Sequence, residues 1–181
     1  MKKSAVVLLL LSCCLVLLGY NFALQRKVAV LWKENRYLVS TEAPVVDSFV
    51  RRIDGLDLSN QETSIDFTSR SKPTLLLVFS PACRFCAENW PNWHKLLQSA
   101  ADANVVFADT SGLADLGYFQ KVGISPPIQL VKIGLQTKLA SKLNATPTTI
   151  LLAPGGRVKG AWVGLLSDDD LKTARRELSK N

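Results

Sequence analysis

The chain opens on a long apolar run and then settles into short apolar segments separated by polar punctuation. Ala5 to Leu24 reads AVVLLLLSCCLVLLGYNFAL, without a single Asp, Glu, Lys or Arg. About 20 consecutive apolar residues match the hydrocarbon core of a bilayer crossed as a helix. Residues 1–24 are therefore predicted to be an N-terminal transmembrane signal anchor, with Tyr20 and Phe22 near the end of the run, where interfacial aromatics are favoured. Two other readings start from the same residues. One is a cleaved signal peptide, which ordinarily has a shorter apolar core and a small-residue cleavage site. The other is a lipoprotein processed at Cys13, after Leu-Leu-Ser. Residues 25–42 are read as a juxtamembrane stalk with Val28, Leu31, Trp32 and Leu38 on the apolar side of a short helix; a partner-binding helix is the alternative.

From Ala43-Pro44 onward the pattern becomes that of a folded domain, 43–181. Val45 to Ile53 predicts a strand, Asp54-Gly55 a turn, and Leu56 to Asp66 a second extended piece. Thr74 to Phe79 (TLLLVF) is continuously apolar and is stopped by Ser80-Pro81, as expected of a strand buried on both faces. Trp90, Trp93, Leu96 and Leu97 then recur at helical spacing, with Pro91 expected to kink that helix. Further along, Val105–Ala108 predicts a strand, 111–122 a helix, Ile128–Ile133 a strand and Leu135–Leu143 a short helix. Thr148–Ala153 and Val158–Val163 flank the turn Pro154-Gly155-Gly156, a β-hairpin. Ser167, with Asp170 three residues on, caps a last helix running to Leu178. A βαβ unit followed by a hairpin and a closing helix predicts an α/β fold, a mixed sheet covered by helices on both faces.

Charge changes the picture little. The formal net charge is +7, but residues 1–40 carry six Lys/Arg against Glu34 alone. The basic excess thus flanks the apolar run, where anionic lipid headgroups attract it. Nothing in the body reads as a basic stripe with interleaved aromatics, so nucleic acid is not an expected partner.

Cysteine usage changes it more. Two of the four cysteines, Cys13 and Cys14, lie in the apolar run, which leaves Cys83 and Cys86 for the whole domain. They stand where a buried strand runs into a helix. A helix N-terminus presents free N–H groups and the positive end of its dipole, both of which favour thiolate over thiol at Cys83. Spacing of three puts Cys86 on the same helix face, within disulfide reach. Arg84 adds positive charge. These are conditions for thiol–disulfide exchange through a mixed disulfide. A structural zinc site would need more Cys or His ligands, and the domain adds only His94. An inert surface pair is the remaining alternative. His94 is expected at a solvated helix position, Trp90 and Trp93 in the core, and Asp168, Asp169 and Asp170 as helix-start charges rather than a metal site.

The stretch VFSPACRFCAENWPNWHKL, residues 78–96, resembles the active-site region of thioredoxin-like proteins, above all membrane-anchored disulfide reductases of the TlpA/ResA type, relatives of the redoxin and AhpC-TSA families. Ala43-Pro44 with Phe49, Thr146-Pro147-Thr148-Thr149, Pro154-Gly155-Gly156-Arg157-Val158, Gly160 and Gly164 follow in the same order. The resemblance implies a thioredoxin-like three-layer fold. It implies Cys83 as exposed nucleophile, Cys86 as shielded resolving thiol, Pro147 as a cis-proline against the disulfide, and Thr146 as a backbone partner for bound peptide. Arg84 and Phe85, the dipeptide between the cysteines, would meet substrate and tune the potential. No cofactor is implied beyond the Cys83–Cys86 disulfide itself. The implied partners are cysteine-containing protein substrates, a membrane electron donor of thiol–disulfide type, and membrane lipid around the N-terminal helix. The implied location is the inner membrane of a bacterium, with the domain on the periplasmic side, although the basic residues on both flanks of the run do not by themselves favour that orientation. The sequence also departs from the thioredoxin pattern. Ala82 stands where a Trp is common, Phe85 where a Pro is common, and Leu77 where thioredoxins bury a carboxylate. Glu88 or a water is then expected to take the Cys86 proton.

Two other functions fit fewer residues. A peroxidase of the peroxiredoxin type would use Ser80, three residues before Cys83. A copper-binding or redox-inert docking module would hold Cu(I) on the two thiolates.

Overall fold

The computed structural model describes residues 13–14, 17–27 and 43–179. The chain divides into two units, Met1–Val39 and Ser40–Asn181. In the first, residues 17–27 are helical. Among the described residues no helix is long and apolar enough to cross a membrane. Much of the expected anchor and nearly all of the expected stalk lie outside the described residues.

The second unit is built on one sheet. Its strands are β1 (Arg52–Leu56), β2 (Glu62–Asp66), β3 (Thr74–Phe79), β4 (Asn104–Asp109), β5 (Leu130–Lys132), β6 (Thr148–Leu152) and β7 (Val158–Val163). Its helices are α1 (Arg84–Gln98), α2 (Leu116–Lys121), α3 (Leu135–Ser141) and α4 (Asp168–Leu178). The seven strands lie in the order β2-β1-β5-β4-β3-β6-β7. β3, β4 and β5 are parallel and the flanking pairs antiparallel, a mixed sheet as the element order predicts.

All six residues of β3 are buried, and their alternation feeds two cores. Leu75, Leu77 and Phe79 pack with Cys86, Trp90, Trp93 and Leu96 of α1, Phe119 of α2, and Leu171 and Leu178 of α4. Leu76 and Val78 pack on the opposite face with Ile53, Ile65, Phe67, Ile150 and Leu143. α4 begins with the expected capping box: Ser167 Oγ accepts from Asp170 N–H, and the Asp170 carboxylate accepts from Ser167 N–H.

Two stretches differ from the sequence expectation. Asp54-Gly55 is not a turn but the middle of β1, and the first strand starts later than Val45. Asp54 is held by Arg52 at 2.9 Å. Gly55 faces the Lys132 backbone so closely that a Cβ there would strike the Lys132 carbonyl. The helix predicted over 111–122 shrinks to α2, because the Asp109 carboxylate takes the N–H groups of Ser111 (2.8 Å) and Ala114 (2.7 Å) and ties the preceding residues into a loop. α1 continues helically through Pro91 to Gln98.

Candidate active site

β3 delivers the chain to Ser80, and α1 starts at Cys83, its N-cap. The turn between them closes with Cys83 N–H donating to Ser80 carbonyl at 3.0 Å. Cys83 has extended backbone angles, and its sulfur accepts from Cys86 N–H at 3.3 Å, the usual duty of an N-cap side chain performed by sulfur. Cys86, one turn into the helix, is fully buried, while Cys83 is only partly covered. Both are free thiols here.

The two sulfurs differ in acidity. Partial burial pushes the Cys83 thiol up, but donors outweigh it: the Cys86 thiol and the N–H groups of Cys86 and Phe85 hold Cys83 below the ordinary cysteine value. Burial pushes the Cys86 thiol up to about 12, reinforced by the Cys83 sulfur as hydrogen-bond partner and neighbouring charge.

The start of β6 completes the site. β3 and β6 are antiparallel, with Val78 opposite Thr148, so the chain before β6 meets the chain after β3. The Thr146–Pro147 peptide bond is cis. In the thiol form Cys83 donates to the Thr146 carbonyl, at 3.5 Å. Pro147 is buried and Thr146 half-buried. The loop after β7 closes the same corner: Gly164 N–H donates to Pro147 carbonyl (2.8 Å) and Leu166 N–H to Asn89 Oδ1 (3.0 Å). Cys83, Cys86, Thr146 and Pro147 therefore meet at one end of the central strands, with the exposed Phe85 beside them.

Other expected residues stand elsewhere. Arg84 and Glu88 form an ion pair of 2.9 Å on the exposed side of α1. Leu77 lies in the core with no carboxylate in its place. His94 is not at a fully solvated position. It is half-buried beside Trp90, and its Nε2 lies 2.7 Å from the Val122 carbonyl. A carbonyl only accepts, so Nε2 carries the proton.

Sequence reasoning missed three polar groups at this end of the domain. Asp109, at the end of β4 in register with Phe79, is fully buried. Tyr118 stacks on Phe79 (5.6 Å between centroids) and accepts from Trp90 Nε1–H at 2.9 Å. Asn89 is fully buried one turn after Cys86, and its amide nitrogen has no partner while its oxygen is anchored. Only Asp109 left a trace in the letters, as the head of the loop-forming Asp-Thr-Ser-Gly. The second cis bond, Pro126–Pro127, was not anticipated either.

No family model matches the chain, and no curated protein matches it in sequence. Solved structures do. The thioredoxin domain of a thiol-disulfide oxidoreductase from Bacteroides vulgatus aligns with TM-score 0.58 and 19% identity over 76% of this chain and 100% of that one. A thiol-disulfide isomerase from Corynebacterium glutamicum aligns with TM-score 0.57 and 18% identity, over 75% and 97%. A thiol:disulfide interchange protein from a Bacteroides species gives 0.54 and 19%, over 76% and 93%. The fold is thioredoxin-like.

Proposed function

We propose that this protein is a thiol–disulfide oxidoreductase that reduces disulfides of protein substrates. The observation that carries the reading is the asymmetry of the pair: Cys83 partly exposed and activated at a helix N-cap, Cys86 buried and protonated one turn behind it. A nucleophile and a reserve thiol are what sequential exchange requires. The Cys83 thiolate attacks one sulfur of a substrate disulfide, forming a mixed disulfide and releasing the other sulfur as thiolate, which takes a proton. Cys86 then loses its proton and attacks the Cys83 sulfur. The Cys83–Cys86 disulfide forms, the second substrate thiolate leaves, and two electrons have passed to the substrate. An external dithiol donor returns them.

The timing of the second step follows from the causes of the Cys86 shift. In the free dithiol the Cys83 sulfur helps to keep Cys86 protonated. Once Cys83 is bonded to substrate it bears no charge, and that contribution disappears. Cys86 becomes more acidic only when its nucleophilicity is needed. Phe85 offers an exposed apolar side chain to the substrate, and Thr146 a backbone edge. We further propose that residues 1–24 anchor the domain to the inner membrane of a bacterium, that it works on the periplasmic side, and that its donor is a membrane protein of thiol–disulfide type. The long uncharged run Ala5–Leu24 supports the anchor.

Trapping tests the reading. With Cys86→Ala, a disulfide-bonded peptide becomes covalently attached to Cys83 and stays there, seen as an added mass. With Cys83→Ser no adduct forms. Turnover by Cys83→Ser would sink the assignment.

A further inference from the structure

β4 and β5 are parallel neighbours, yet the chain leaves them toward opposite faces of the sheet. From β4 it enters α2, whose Phe119 joins the core on the α1 face. From β5 it enters α3, and Leu143 just beyond joins the core on the other face. Outgoing loops that diverge in this way leave a crevice outside the carboxyl ends of the strands, the favoured ligand position in open α/β sheets. A cleft of about 890 Å³ lies there, with Thr110, Ser111 and Gly112 on one side, Lys132 and Gly134 on the other, and Lys138 of α3 at its edge. That volume falls within the range of small-molecule sites.

Its chemistry is cationic on one wall. Lys132 is only 9% exposed, yet its Nζ donates to a neutral acceptor, Asn60 Oδ1, at 2.7 Å. Lys138 Nζ donates to the Thr110 carbonyl at 2.8 Å. Neither lysine joins any ion pair formed by the described residues. A buried ammonium hydrogen-bonded to a neutral dipole rather than to a carboxylate is costly, and each ammonium has three donors, of which one is used in these bonds. Two carboxylates also line the cleft. Asp54 is already matched by Arg52, and Glu62 stands two strands from Lys132 on the same face, with Leu56 of β1 between them, and forms no ion pair with it.

We propose that this cleft binds a small soluble anion, its phosphate or carboxylate oxygens seated between Lys132 and Lys138. The ligand completes the hydrogen bonding of both ammonium groups and supplies the negative charge that the buried Lys132 lacks. The site is independent of the Cys83–Cys86 chemistry.

The test uses the full-length, ¹⁵N-labelled protein in detergent, titrated with inorganic pyrophosphate and separately with citrate. The amide signals of Gly112 and Gly134 report on the two walls. We expect them to shift saturably, with half-saturation at or below about 1 mM, the weak end of ordinary affinities. Lys138→Gln, at the cleft edge, weakens binding at least tenfold, whereas Lys172→Gln on α4 leaves it unchanged. Saturation by pyrophosphate or by citrate upholds the site and tells which oxyanion it prefers. Saturation by neither, or equal binding by the wild type and Lys138→Gln, overturns it.

Discussion

The Cys83 sulfur and the Thr146 carbonyl oxygen lie 3.5 Å apart although 63 residues separate them in the chain. The antiparallel pairing of β3 with β6 produces this meeting: with Val78 opposite Thr148, whatever follows β3 must face whatever precedes β6. Cys83 therefore sits on a helix start while the carbonyl beside it is fixed by the sheet, and under the proposed function a substrate disulfide would enter between the two.

The acidity of the pair has a direct kinetic signature. Cys83 is held below the ordinary cysteine value and Cys86 is pushed up to about 12. The thiolate is the reactive form, so alkylation by iodoacetamide rises with pH through the Cys83 titration and then levels off. Its midpoint falls below the value of about 8.5 for a free cysteine. In a Cys13→Ser/Cys14→Ser background, which removes the two other accessible thiols, a single cysteine is labelled up to about pH 10, and Cys83→Ser abolishes this labelling. A midpoint above that of a free cysteine contradicts the assignment.

Trp93 anchors α1 to the sheet. Its indole N–H donates to Thr149 Oγ in the core at 2.8 Å. Trp93→Phe keeps an aromatic ring but leaves the hydroxyl without this donor. Urea unfolding is expected to show a loss of about 1–3 kcal/mol. A double-mutant cycle with Thr149→Val gives a coupling of at least about 0.5 kcal/mol if the bond is as described, and none if it is not.

Gly55 is fixed by what lies opposite. A Cβ there strikes the Lys132 carbonyl, so Gly55→Ala must push β1 from β5. Equilibrium unfolding is expected to show a destabilisation of about 1–3 kcal/mol, as for other overpacked positions. The rate of Cys83 alkylation stays at the wild-type value, because the contact is remote from α1. A stability within about 0.5 kcal/mol of wild type counts against this packing.

These same residues show where the letters were legible. TLLLVF declares a buried strand by itself, and Cys83–Cys86 at its end declares a helix start, because both signals are local. Ser167 and Asp170 declare a cap for the same reason. Asp54-Gly55 misleads because the residue pair is common in turns, whereas here the glycine answers to Lys132, a residue 77 positions later. His94 reads as a surface residue until α2 brings Val122 carbonyl to it. Asp109 and Tyr118 come to Phe79, and Asn89 to Leu166, through sheet order and helix packing, neither of which has a signature in any short stretch. The Arg84–Glu88 pair is a local i,i+4 match and is legible in the letters in the same way.

The most direct test of the central claim is a redox titration of the full-length protein in detergent, equilibrated in glutathione or dithiothreitol buffers and read by mass after alkylation. A reversible two-electron transition confined to Cys83 and Cys86 is expected, with a potential near or below about −270 mV, the value of a reductant such as thioredoxin. A potential near about −120 mV, that of a strong oxidant, contradicts the reductase assignment, and the lack of any reversible transition contradicts thiol–disulfide exchange altogether.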